Sequence, residues 1–159
     1  MVKGIMNVYC CGGTGLNIGR HMANRSQEFN SDAFADREIF FLDTSASNLG
    51  GLNSKDPNVY VYEDADGAGK NRRHVANIIM ENVNPVLLKF KPAEINIVIA
   101  SNSGGSGSVI APSLISELLS RGENVIFFGV NSYEDRKALE NVIASMKTYE
   151  SISKALRSS

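Results

Sequence analysis

Ile97-Val98-Ile99-Ala100-Ser101-Asn102-Ser103-Gly104-Gly105-Ser106-Gly107-Ser108 is the stretch on which the fold turns. The strand it completes, from Glu94 to Ser101, is β-branched and apolar without alternation. Such a strand is expected to be buried on both faces, as in the middle of a parallel sheet. Its second half is a glycine cluster, Gly104, Gly105 and Gly107, and a helix is expected to open shortly after it, near Pro112. A buried strand running through a glycine loop into a helix is half of a βαβ unit.

The same pattern extends outward in both directions. Upstream, Gly4–Cys10 reads as a first strand and ends at Gly12, Gly13 and Gly15, before a helix over Leu16–Arg25 that includes Gly19. Asn30–Asp36 is polar and reads as a loop, and Glu38–Leu42 is a second strand ending at Asp43-Thr44. Turn residues fill Ser45–Pro57, Asn58–Tyr62 is a short third strand, and Gly67 and Gly69 follow. Helical spacing resumes near Arg72, with Val75, Ile78, Ile79 and Val83 on one face. Pro85 is expected to kink or end that helix. Downstream, Leu114/Ile115 and Leu118/Leu119 repeat four residues apart, and Arg121-Gly122 is a basic last turn with a glycine cap. Asn124–Val130 is a fifth strand, and Asp135–Leu156 is an amphipathic helix through Leu139, Val142, Ile143, Met146, Tyr149 and Ile152. The expectation is an α/β fold, a Rossmann-like parallel sheet flanked by helices, in one domain over residues 1–159.

Composition narrows the function. The 159 residues carry 16 Lys plus Arg against 17 Asp plus Glu, so bulk positive charge does not drive nucleic-acid binding, and no direct nucleic-acid partner is expected. With 43% hydrophobic and 21% charged residues the chain is ordinary for a globular fold and wrong for a disordered one. Its apolar runs, such as Val125-Ile126-Phe127-Phe128, fall far short of the roughly 20 residues that cross a bilayer. Met1-Val2-Lys3-Gly4 has no signal-peptide layout, so no membrane partner is expected. Cys10 and Cys11 are neighbours, without metal-ligand spacing or a disulfide framework, which points to core thiols in a reducing cytoplasm.

The chemistry is expected at the carboxyl ends of the strands, where open α/β sheets bind ligands. The three glycine clusters fall at the ends of the first, third and fourth strands. Glycine lets backbone N–H groups approach an anion with no Cβ in the way, and helix N-termini favour negative charge. Each cluster alone is also an ordinary turn; three on one edge point to a chain of phosphates. Common fingerprints fail narrowly. The dinucleotide pattern GxGxxG begins at Gly13 and Gly15 but meets Ile18, with Gly19 one place late. The Walker pattern fails at Asp64 and Asn71 around Gly69-Lys70, and a nucleophile elbow at Ser106 fails at Ser108. His21 and His74 form no recognisable triad or metal cluster, so no catalytic residue and no protein metal ligand is assigned.

Taken in order, the loops resemble the tubulin/FtsZ superfamily of filament-forming GTPases, and most of all the tubulins of large bacteriophages, the PhuZ type. Gly12-Gly13-Thr14-Gly15-Leu16-Asn17 is similar to that family's first phosphate loop. Phe41-Leu42-Asp43-Thr44 resembles the second loop, and Gly67-Ala68-Gly69-Lys70-Asn71-Arg72 the third, GAGxN. Ser103-Gly104-Gly105-Ser106-Gly107-Ser108 resembles the tubulin signature GGGTGTG or GGGSGS, and Glu134 falls where the fifth loop touches the ribose. Met146-Lys147-Thr148-Tyr149-Glu150 also looks like the phage branch. The resemblance covers essentially the whole chain. Two positions depart from it. Ser103 replaces the first glycine of the signature, which puts a Cβ near the phosphates, and Val109 stands where bacterial members usually have another glycine.

The resemblance implies GTP/GDP binding, with Mg²⁺ accompanying the triphosphate. It implies that Gly12, Gly13, Gly15, Gly104, Gly105 and Gly107 present amides to phosphates, with Thr14, Ala68, Ser103 and the hydroxyls of Ser106 and Ser108 beside them. Gly67, Gly69 and Asn71 lie toward the γ-phosphate, Asn17 toward sugar and base, and Asp43 and Thr44 near the nucleotide, where Asp43 either bonds a polar group of it or caps a turn. It also implies self-association into filaments, in the host cytoplasm if phage-encoded. The family's members continue with a further strand, a base-reading loop, a long central helix, an acidic loop that completes the next subunit's hydrolytic site, and a second domain. The 159 residues contain no counterpart of that acidic loop, so the domain is expected to be incomplete at its C-terminus, to hydrolyse little alone, and to leave its fifth strand at an exposed edge. Two other classes stay open: a Rossmann-type dinucleotide-binding module, which would use Asp43 and the first loop, and a non-catalytic structural protein on the same scaffold.

Overall fold

Val8, Tyr9, Cys10 and Cys11 are all fully buried. Consecutive residues of a strand point to opposite faces, so β1 (Ile5–Cys11) is covered on both sides and lies inside the sheet. A computed structural model describes residues 4–25, 35–65 and 72–158. It contains β1, α1 (Gly12–Asn24), β2 (Asp36–Asp43), a 3₁₀ turn (Ala46–Leu49), β3 (Val59–Val61), α2 (Arg72–Lys89), β4 (Ile95–Ser101), α3 (Gly107–Ser120), β5 (Val125–Val130) and α4 (Arg136–Arg157). The five strands are parallel in the order β3-β2-β1-β4-β5, with Tyr9 of β1 opposite both Phe40 of β2 and Val98 of β4. Strand order reverses between β1 and β4, which makes that gap the topological switch point.

Two cores follow from the period-2 alternation. On one face, Val8, Cys10, Ile39, Phe41 and Ile99 pack under Leu16 of α1. On the other, Tyr9, Phe40, Leu42, Val98 and Ala100 pack under α2 and α3 through Val75, Ile79, Ile110, Leu114 and Leu118. Phe40 stacks on Phe90 with centroids 4.3 Å apart, and Tyr9 donates its hydroxyl to the Phe90 carbonyl at 2.8 Å, which anchors the end of α2.

The strands stand where the sequence places them, within two residues. The helices α2 and α4 also start within one residue of the expected positions, but α1 and α3 do not. α1 begins at Gly12 rather than Leu16 and α3 at Gly107 rather than Pro112, so glycines read as loop form the first turns of both helices. Pro112 lies inside α3, where it forgoes the bond to the Ser108 carbonyl. Pro85 does not end α2 either, because Val86, Leu87 and Phe90 beyond it are buried in the core and hold the last turn down. The α3 terminus matches its expectation. Gly122 takes φ +77°, and the amides of Gly122 and Glu123 bond the carbonyls of Leu119 and Leu118, a Schellman cap. In α4 only part of the expected apolar face turns inward. Val142 is buried and Tyr149 lies against Phe127, while Leu139, Ile143 and Met146 are exposed. The α1-side face of β5 is bare as well, with Phe128 55% exposed, because α1 packs over β1, β2 and β4 and leaves the edge uncovered.

α1 approaches the sheet at Gly15. A Cβ there would stand 2.7 Å from the Ile99 carbonyl oxygen and 3.0 Å from the Cys10 carbonyl carbon, both backbone atoms that cannot step aside. Gly15→Ala should therefore lower stability by about 1–3 kcal/mol through overpacking, read as a shift in the urea midpoint. Gly13→Ala, whose Cβ would point into open space, should leave stability unchanged or raise it by up to about 1 kcal/mol. Equal midpoints for the two variants would contradict this packing.

Candidate functional site

The N-termini of α1 and α3 meet at the switch point. Cys11, the last residue of β1, is still extended, and α1 starts at the next residue, Gly12, with φ +70°. A Cβ on Gly12 would fall on the backbone nitrogen of Gly107, 2.8 Å from its Cα, and a Cβ on Gly107 would strike the Cys11 carbonyl. Neither position admits a side chain, and the two chain segments touch main chain to main chain. Neither helix has a side-chain cap at its start or an acidic residue in its first turn. Two positive dipole ends thus converge on one crevice with first-turn amides left for an anion. Between β4 and α3 the chain turns through Gly104 at φ +130° and Gly105 at φ +77°, and a Cβ on Gly105 would meet nothing within 4 Å.

Asp43 closes the floor. It is fully buried at the end of β2, and its Oδ1 accepts from the Ser45 amide at 3.1 Å, Asn48 Nδ2 at 3.2 Å and Ser106 Oγ at 3.1 Å. It therefore caps the turn after β2 and ties that turn to the glycine loop before α3. Its Oδ2 is buried with no partner, an acceptor still available for a donor or cation. The Ser106 hydroxyl points to Asp43, and the Ser108 hydroxyl donates to the Gly105 carbonyl at 2.8 Å. Both serines spend these hydroxyl protons inside the protein, so the loop offers a ligand its main chain.

The other expected residues divide. Gly12, Gly15, Gly107, Thr44, Ser106 and Ser108 are buried around the crevice, and Thr14, Ser103 and Gly104 are half-buried. Gly13, Gly105 and Asn17 are exposed. Arg20 bonds both Asn17 Oδ1 and the Leu49 carbonyl, which pins α1 to the 3₁₀ turn and engages the oxygen of Asn17. Glu134 is exposed on the β5–α4 loop. Gly67, Ala68, Gly69, Lys70 and Asn71 lie outside the described residues, as does most of the Asn30–Asp36 loop. Asn131, Ser132, Asn141 and Ser145 also bind the Asn102-Ser103 start of the glycine loop, through contacts that join residues 29 to 43 positions apart and leave no local signal in the sequence. Among the described residues no group of three His, Cys, Asp or Glu stands together as a metal site, and no helix is long and apolar enough to cross a membrane.

Comparison with known proteins agrees with this geometry. No family model matches the chain. A tubulin-like protein of Pseudomonas phage PhiPA3 is 36% identical over 155 residues, which is 98% of this chain and 45% of that protein. The chain matches the phage tubulins. The protofilament structure of TubZ from bacteriophage PhiKZ superposes with a TM-score of 0.78 at 32% identity, over 96% of this chain and 46% of that one. The phage tubulin PhuZ solved with GDP gives a TM-score of 0.76 at 26% identity, over 96% of this chain and 45% of that one. The chain thus spans about half the length of the phage tubulins it matches. The five-stranded parallel sheet and its helices are the tubulin/FtsZ-like fold expected above.

Beneath the crevice, burial pushes the Tyr9 phenol and the Cys10 thiol each up to about 12, and it raises Cys11, Tyr62 and Tyr149 as well. Both cysteines are free and buried. These groups hold their protons more tightly folded than unfolded, so the stability they lend is complete below their unfolded values of about 8.5–10 and is lost as pH rises toward 12. The denaturant midpoint should stay level from about pH 7 to 8 and fall steadily above about pH 9. Neither thiol should react with a thiol reagent at about pH 8 until the chain unfolds. A midpoint unchanged to about pH 11 would contradict the buried placement.

Proposed function

We propose that this chain is the guanine-nucleotide-binding part of a phage tubulin-like filament protein. The observation that carries the reading is the main-chain contact between Gly12 and Gly107, which brings the uncapped starts of α1 and α3 into one crevice at the switch point. A chain of phosphates fits such a crevice, because two helix starts face it and the donors around it are backbone amides. The phage tubulin solved with GDP supports the choice of ligand, and the TubZ protofilament supports self-association.

In this reading Gly12, Gly13, Thr14 and Gly15 bind phosphate from one side and Gly104, Gly105, Ser106, Gly107 and Ser108 from the other. Asn17 and Glu134 serve the sugar and base, and Gly67, Ala68, Gly69 and Asn71 serve the terminal phosphate. Asp43 and Thr44 hold the floor. Mg²⁺, entering with the triphosphate, would neutralise phosphate charge, and the unpartnered Oδ2 of Asp43 is the acceptor best suited to a donor or cation there. In this reading hydrolysis belongs to the assembly of neighbouring subunits rather than to one chain.

Titration of the purified chain with GTP, GDP and NAD by calorimetry tests this. GTP and GDP should bind, NAD should not, and phosphate release from GTP should stay at background. Gly105→Asp adds a negative charge where nothing stands within 4 Å, at a backbone φ of +77°, so it should abolish binding while the chain still folds. Preference for NAD, or guanine-nucleotide binding untouched by Gly105→Asp, would overturn the reading.

A further inference from the structure

Position 103 is where the chain departs from the glycine signature, and its side chain is engaged. Ser103 Oγ accepts from the Ser132 amide at 2.6 Å and lies 3.5 Å from the Ser132 carbonyl, to which its hydroxyl donates. Neighbouring bonds reinforce the junction. The Asn102 amide donates to the Val130 carbonyl at 2.8 Å, and Asn102 Nδ2 donates to Asn131 Oδ1 at 2.9 Å. From α4, Asn141 Nδ2 donates to the Ser103 carbonyl at 2.8 Å and Ser145 Oγ to the Asn102 carbonyl at 3.0 Å. The loop before α3 and the loop between β5 and α4 are therefore stitched together residue by residue. A glycine at 103 would keep those other bonds and lose only the two to Ser132, the point of attachment nearest in sequence to Glu134. Glu134 stands two residues beyond Ser132.

We propose that Ser103 is a positioning residue: its hydroxyl fixes the backbone at Ser132 and so sets Glu134 in place for the sugar of a bound guanine nucleotide. The inference rests on the nucleotide reading above. A β5–α4 loop free to move would have to be ordered on binding, and a loop already held by the phosphate cradle does not carry that cost. The Cβ that replaces a glycine hydrogen at this position thus buttresses the site from outside rather than intruding on it.

The test is a double-mutant cycle on the full chain, with GDP affinity measured by calorimetry for the wild type, Ser103→Ala, Glu134→Ala and the double variant. Ser103→Thr serves as the conservative rescue. Each single substitution should weaken GDP binding roughly three- to tenfold, the scale of one hydrogen bond. The double variant should be no weaker than Glu134→Ala alone, because Ser103 acts through the loop that carries Glu134. Without nucleotide, amide exchange over residues 131–134 should quicken in Ser103→Ala and return toward wild type in Ser103→Thr. Additive losses, a neutral Glu134→Ala, or Ser103→Ala binding at wild-type affinity would overturn the positioning role while leaving the nucleotide reading intact. A wild-type chain that binds no guanine nucleotide would overturn both.

Discussion

The contact between Gly12 and Gly107 is the constraint on which the rest of the architecture depends. Parallel strands spaced about 4.8 Å apart bring the ends of β1 and β4 side by side. Two helices can leave those ends toward opposite faces only if the first residues of both are nearly bare backbone. With any side chain at either position, α1 or α3 would have to back away from the sheet edge. Gly15 then could not sit against the Ile99 carbonyl, and Ser106 would lose its reach to Asp43. The same contact that packs the fold also leaves two sets of helix-start amides facing one space.

That origin explains why the site is built from main chain. Ser106 and Ser108, which look like hydroxyl donors for a ligand, direct these donor protons to Asp43 and to the Gly105 carbonyl. Their role in the structure is to hold the loop in the shape its glycines permit. Asp43 repeats the logic on the floor, where one oxygen gathers three donors and the other is left without one. A buried carboxylate so unevenly satisfied is costly in an apolar setting unless something completes it.

The strands and their order of burial were legible in the sequence because a β-branched run such as Ile97–Ala100 has few alternatives, and the glycine clusters marked the sheet edge where the crevice lies. The starts of α1 and α3 were not legible. Gly12 and Gly107 are poor helix formers, and tertiary contact with the other segment overrides propensity there. Pro112 resembled a first-turn proline because that is where proline costs least, yet α3 carries it in the interior. The stitching of Ser103 to Ser132 was hidden for a different reason. Both are small polar residues in polar loops, and only the pairing of β4 with β5 brings them together.

The two sides of the sheet are attached in unlike ways, and this gives the molecule a stiff flank and a compliant one. α1 is seated with no room for a Cβ at Gly15, against the Ile99 and Cys10 main chain, or at Gly19, against the Cys10 and Phe41 side chains, which leaves little slack for sliding or tilting. At the sheet's upper edge α4 is secured by the amide of Asn141 and the hydroxyl of Ser145, bonds each worth only about 1 kcal/mol, with half of its apolar surface facing outward. Under mechanical load or on meeting a neighbour, the outward-facing part of α4 would yield first, while α1 and the glycines beneath it would hold their geometry. Displacement is thereby channelled into α4 and away from the glycine loops that frame the crevice.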